Sequence, residues 1–205
     1  MVKVLTVAAI LSMALSGCDS TMRNAGSLLP NTLQLREGDV VLRRGTGLTS
    51  RLVISQDREG FFSHVGIVVD SAHTPMIVHA VPGEPDFPGD PDRVKMTSPH
   101  DFFDKKHAVA AAVYRPREAE VGKRAADVAL EVYRRGTLFD HDFNEEDTSQ
   151  MYCTELITHV YRHAGIELVD DRRHVVDLPA FHYRCILPSQ LCNSPYLRNI
   201  YMFNP

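Results

Sequence analysis

Residues 63–81 read SHVGIVVDSAHTPMIVHAV. Two β-branched runs flank SAHTP, a stretch of turn chemistry, and the whole predicts a β-hairpin. The first run, SHVGIVVD (63–70), is nearly continuous in apolar residues, which marks a strand buried on both faces. The second, MIVHAV (76–81), is its antiparallel return. A turn centred near residue 73 sets His64 opposite residue 81 or 82. His64 and His79 then become near-diagonal neighbours, with Cβ atoms about 5–8 Å apart. Whether both imidazoles share a face depends on the register, which the sequence leaves open.

Around the hairpin the pattern is that of an α+β domain without a βαβ repeat. Upstream, GDVVLRRG (38–45) reads as a turn and a short strand, and TSRLVISQ (49–56) as a short helix capped by Thr49 or Ser50. Downstream, PGEPDFPGDPD (82–92) is a loop carrying Glu84, Asp86, Asp90 and Asp92 against the single Arg93. If it overhangs a site, this loop disfavours strongly anionic substrates. AVAAAVYRP (108–116) is a further strand. Residues 117–135 carry Val121, Ala125, Val128, Val132 and Tyr133 at helical spacing, ended by Gly136. A second helix over 154–164 aligns Leu156, Ile157, Val160 and Ala164, with Gly165 beyond its last turn. From 166 the tail reads as irregular, with a short helix at PSQL (188–191).

Composition excludes some classes. The chain has 205 residues, 44% hydrophobic and 23% charged, with a formal net charge of −4. That suits one ordinary globular core and offers no basic tract for a nucleic acid. The N-terminus departs from this pattern. After Lys3 comes VLTVAAILSMALSG, an apolar run the length of a signal-peptide core and too short to span a bilayer. It ends in Leu15-Ser16-Gly17-Cys18, which resembles the bacterial lipobox. The resemblance implies export, removal of residues 1–17 and diacylation of Cys18. Residues 18–34 are then a lipidated tether, residues 35–205 the folded domain, and the bacterial cell envelope its location, anchored to a membrane.

With Cys18 lipidated, Cys153, Cys185 and Cys192 remain, an odd number outside the cytosol. Cys185 and Cys192, seven apart, can pair or stay as buried thiols; Cys153 is the natural one to remain free. It lies in MYCTEL (151–156), where the second helix begins. A cysteine there is a small buried apolar residue, half of a disulfide, or a nucleophile. A helix start carries unpaired N–H groups and partial positive charge, which favour a thiolate and can hold an oxyanion. On the nucleophilic reading the thiol's pKa is depressed. Histidine is the natural base, and His64 and His79 are the candidates: one imidazole can donate a proton to the other and fix its tautomer.

FDHDF (139–143) holds Asp140, His141 and Asp142 without a ligand cluster nearby, and His159 and His163 lack both an HExxH pattern and a third ligand. No metal and no cofactor is expected from them. Tyr152 and Asp140 remain candidates to line a substrate site.

The order GDVVLRRG, FFSHVGIVVD, IVHAV, FDHDF, YCTELITHVY and PSQL resembles the permuted NlpC/P60 cysteine hydrolases of the YiiX/YaeF type, from about residue 35 to 191. The resemblance implies a circularly permuted papain-like fold, an antiparallel sheet packed against helices, in which histidine precedes cysteine. Position by position, Cys153 falls on the nucleophile, His64 on the base and His79 on the third polar position. Close relatives often carry glutamate at that third position, whereas many ordinary NlpC/P60 enzymes carry histidine. The implied activity is amidase- or peptidase-type hydrolysis through an acyl-enzyme. Its substrates are cell-wall peptides or acyl lipids. Rival readings are a non-catalytic envelope lipoprotein that binds such fragments, and an acyltransferase with the same thioester chemistry.

Overall fold

The computed structural model describes residues 26–178 and 181–205. The expected signal peptide and Cys18 lie outside the described residues. β2 (His64–Ser71) and β3 (Thr74–Val81) form the anticipated hairpin, paired from Ser71↔Thr74 to Ile67↔Val78. Continued, this register sets His64 opposite Val81. Ala72 and His73, at φ 53° and 63°, close a two-residue turn in the left-handed region, the geometry that matches strand twist.

The hairpin is part of a six-stranded antiparallel sheet of order β4-β3-β2-β1-β5-β8. Its other members are β1 (Val40–Gly45), β4 (Arg93–Thr97), β5 (Ala108–Pro116) and β8 (Leu197–Phe203). Period-2 alternation sorts their side chains into two cores. Val40, Leu42, Val65, Ile67 and Val69 face α3 (Ala119–Arg134) and α4 (Cys153–His163), which bury Val121, Ala125, Ala129, Leu156, Ile157 and Val160 against them. Val41, Val68, Ile77, Ala111 and Val113 face the other way, onto Leu28, Leu29, Phe102 and Phe103. Phe102 ends the short α2 (Pro99–Phe102), whose Ser98 cap accepts from Asp101 N at 3.1 Å.

Three features differ from the sequence reading, and one alternative that it left open is decided. The body starts earlier than Leu35: Leu28 and Leu29 are buried, Leu28 N–H donates to Phe103 O, and Tyr201 Oη donates to Leu28 O. Isolated apolar pairs carry no period, so this segment looked like linker. Helix α1 (Leu48–Gln56) is preceded by Gly47 in extended conformation, without a side-chain cap; Thr49 and Ser50 lie inside the helix. The tail from 166 is not irregular. It forms the hairpin of β6 (His174–Leu178) and β7 (Phe181–Cys185), then α5 (Pro188–Cys192), then β8 on the sheet edge. Cys185 and Cys192 are both free thiols. Cys192 contacts Tyr114 while Cys185 lies near Cys153, so the two thiols face different neighbours.

Candidate active site

The site forms where α4 starts beside the first residues of β2. Tyr152 precedes the helix in extended conformation, and Glu155 accepts its N–H at 3.2 Å, fixing the first turn. Cys153 is the first helical residue and retains partial solvent contact. The N–H groups of Val65, Thr154 and Cys153 itself turn toward its sulfur. The thiol therefore stands one residue from His64.

His64 and His79 are buried on the Phe102 face of the sheet. His64 Nε2 and His79 Nδ1 are 2.8 Å apart, and His79 Nε2 lies 3.2 Å from Thr97 Oγ1. Gly66, between them on β2, makes this approach feasible: a Cβ there would stand 2.6 Å from Ile77 Cγ2 and 3.2 Å from His79 Cβ. If Thr97 accepts from His79 Nε2–H, His79 Nδ1 is free to accept from His64 Nε2–H. His64 Nδ1 then keeps a lone pair, which is what a base needs.

Two cations flank this pair. In the β1–β2 ladder Arg43 stands directly opposite His64, and in the β3–β4 ladder Lys95 stands directly opposite His79. Both cations are buried. Arg43 stacks on Phe102, its Cζ 4.8 Å from the ring centroid, and Nη1 donates to Phe102 O at 3.1 Å. Burial, then the charge of Arg43, hold both imidazoles well below their ordinary value, so both are neutral at neutral pH. Burial also pushes the Cys153 thiol up to about 11, against the N–H groups and Arg43, which favour the thiolate. The depressed thiol pKa expected from a helix start is thus reversed, because desolvation outweighs the helix terminus. At rest the Cys153 thiol and the His64 and His79 imidazoles are therefore all neutral.

Arg43, Lys95, Thr97 and Phe102 are absent from the sequence reading as site residues, and Glu84 enters it only as one acid of the 82–92 loop. One signal was present: in VVLRRG the alternation that buries Val40 and Leu42 on one face puts Val41 and Arg43 on the other. The expected acidic field of 82–92 does not arise. Glu84 pairs with Arg43, Asp86 with Arg93 and Lys95 at 3.0 and 2.7 Å, and Asp90 with Arg93 at 2.8 Å.

The two substrate-site candidates sit differently. Asp140 is fully buried, and its carboxylate accepts from Asp142, Phe143 and Asn144 N–H at 2.8, 2.9 and 2.6 Å, organising that loop. Tyr152 is also buried; its hydroxyl donates to Glu145 and accepts from Ile186 N–H at 3.0 and 3.1 Å. Neither lines the cleft that His64 opens onto, and Cys153 does not line it either. Among the described residues no group of three or more His, Cys, Asp or Glu is placed to hold a metal ion.

Two strand histidines precede a helix-start cysteine along the chain, the order that a permuted papain-like fold has. The family model of the permuted papain-like amidase enzymes, YaeF/YiiX, C92 family, matches residues 34–201, and the chain belongs to that family, a class of papain-like cysteine amidases. Among solved structures, one described as metalloprotein yiiX from Escherichia coli O157:H7 superposes with a TM-score of 0.67 at 17% identity, covering 84% of this chain and 100% of its own. That likeness supports the fold. No curated protein matches the chain.

Proposed function

We propose that the protein is a membrane-tethered cysteine hydrolase in which Cys153 attacks an amide or ester carbonyl. One observation carries this: the Cys153 sulfur meets Val65 N–H, one residue from an imidazole whose Nε2 is engaged by His79. His64 Nδ1 takes the thiol proton as the S–C bond forms. It returns that proton to the leaving amine or alcohol as the C–N or C–O bond breaks. The N–H groups at the start of α4 hold the transient oxyanion. Water, deprotonated by His64, then releases the acid from the thioester and restores the thiol.

Cys18, diacylated, ties the body to a bilayer. No helix among the described residues is long and apolar enough to cross a membrane. Because the body already packs from Ser27, residues 19–26 span at most about 30 Å, which keeps the cleft near a lipid or wall surface. Incubating the full chain with muropeptides and with phospholipids, followed by mass spectrometry, tests the reading. Wild-type protein should yield a shortened product in one arm and a Cys153 acyl adduct in trapped samples. A Cys153→Ala protein that retains turnover overturns it, as does wild-type protein without acyl mass on Cys18 for the anchor.

A further inference from the structure

The cleft beside His64 has a volume of about 650 Å³ and is bounded by Arg43, Lys95, Thr97 and the 82–86 strap. Arg43 is 4% exposed, and its Nε–H is buried without a hydrogen-bond partner. Nε and Nη2 form one edge of the guanidinium, the edge that takes both oxygens of a carboxylate side-on. Glu84 takes only Nη2. An unsatisfied buried donor on a cation is costly, and a carboxylate spanning the full edge would satisfy it. Glu84 is one-third exposed. It follows Gly83, which has a left-handed φ of 70° and open space where a Cβ would stand. When Glu84 leaves, the Arg43 cation lacks a counterion, so the cleft fits one added negative charge.

We propose that the Nε/Nη2 edge of Arg43 is a recognition site for a carboxylate on the substrate's leaving group, and that Glu84 holds the place of that carboxylate in the free protein. Arg43 stands opposite His64, and His64 hands its proton to the leaving amine. We therefore assign the group seated on Arg43 to that amine, which makes the substrate class an acylated amino acid with a free carboxylate. This rests on the hydrolase reading for its chemistry, and the binding site can be tested without turnover.

The full chain with Cys153→Ala is titrated calorimetrically with N-hexanoylglycine and with N-hexanoylglycinamide. The acid should bind more tightly than the amide, and the Arg43 Nε–H proton resonance should move only with the acid. Adding Glu84→Gln should tighten the acid about tenfold, as expected if the Glu84-displaced state is a tenth of the population, and leave the amide unchanged. Arg43→Lys keeps a charge but loses the side-on edge, and should remove most of the preference. Equal affinity for acid and amide, binding of neither, or a Glu84→Gln change that affects both alike overturns the carboxylate site. Those results leave the hydrolase reading intact, since it fails only through retained turnover in Cys153→Ala.

Discussion

His64 Nε2 lies 2.8 Å from His79 Nδ1, so two neutral imidazoles share one proton between facing nitrogens. Which nitrogen carries it decides whether His64 can act as a base. The useful arrangement has His79 Nε2–H donating to Thr97 Oγ1 and His64 Nε2–H donating to His79. His79 is then a positioning residue whose task is to accept a hydrogen bond. His79→Gln can still accept through its amide oxygen; His79→Leu cannot. On an activated ester reporter, His79→Leu should lower kcat by about 10²-fold, and His79→Gln should recover much of that. Equal losses for both variants would show that the accepted hydrogen bond is not what matters.

A neutral resting pair has its own kinetic signature. With the Cys153 thiol pushed up to about 11, alkylation by iodoacetamide should be slow at pH 7 and climb steadily into the alkaline range. A preformed thiolate–imidazolium pair would instead hold a high, flat rate down to acid pH. Arg43 favours the thiolate, so Arg43→Met should shift the rising limb further upward. A flat profile for wild-type protein from acid to neutral pH would refute the neutral pair.

The sequence made the hairpin and both histidines legible because their signals are local: a β-branched run, turn residues, and a return run of matching length. The start of α4 was legible for the same reason. Its apolar face is written in Leu156, Ile157 and Val160, all fully buried. Arg43 and Lys95 were not legible as neighbours of the histidines. Their positions follow from the β1–β2 and β3–β4 registers, and those strands are joined through α1 and the 82–92 strap, not by tight turns. β8 pairs with β5 some 80 residues earlier in the chain, and nothing local in a short exposed run marks such a partner. Helix-start geometry pointed to a thiolate, but desolvation depends on what closes over the cysteine, which only the fold supplies.

Buried neutral groups also set a pH window for stability. His64 and His79 titrate below their unfolded value of about 6.5. Below that pH the unfolded chain binds protons that the folded chain refuses, so stability falls as pH drops. Cys153 titrates above its unfolded value of about 8.5. Above that pH the unfolded chain releases its proton first, so stability falls as pH rises. The contribution of these three groups to Tm should therefore be largest between roughly pH 6.5 and 8.5. It lies on top of a steady fall with rising pH from Glu155, whose carboxyl is pushed up to about 8 by burial. In Cys153→Ala the alkaline fall should be shallower. An unchanged alkaline slope in that variant would mean the thiol is not held neutral by the fold.

The final prediction concerns Gly66, because it links packing to chemistry. Its φ is ordinary for a strand, so conformational freedom is not why glycine stands there. What decides is space: an added Cβ would meet Ile77 Cγ2 at 2.6 Å, Val78 O at 3.1 Å and His79 Cβ at 3.2 Å. Val78 O is backbone within the hairpin and resists displacement. The Ile77 and His79 side chains must give way, and His79 moves off the His64 ring. Overpacking of this kind costs about 1–3 kcal/mol, a Tm fall of roughly 2–10 °C for a domain of this size. The protein should stay folded at room temperature with its far-UV dichroism unchanged. Its turnover should nonetheless drop toward that of His79→Leu, since both changes leave His64 without its acceptor. Combining Gly66→Ala with His79→Leu should then cost little more than either alone, as expected when two changes break one interaction. Gly66→Ala protein with a lowered Tm and full turnover would separate the packing from the chemistry and remove the His64–His79 contact from the mechanism.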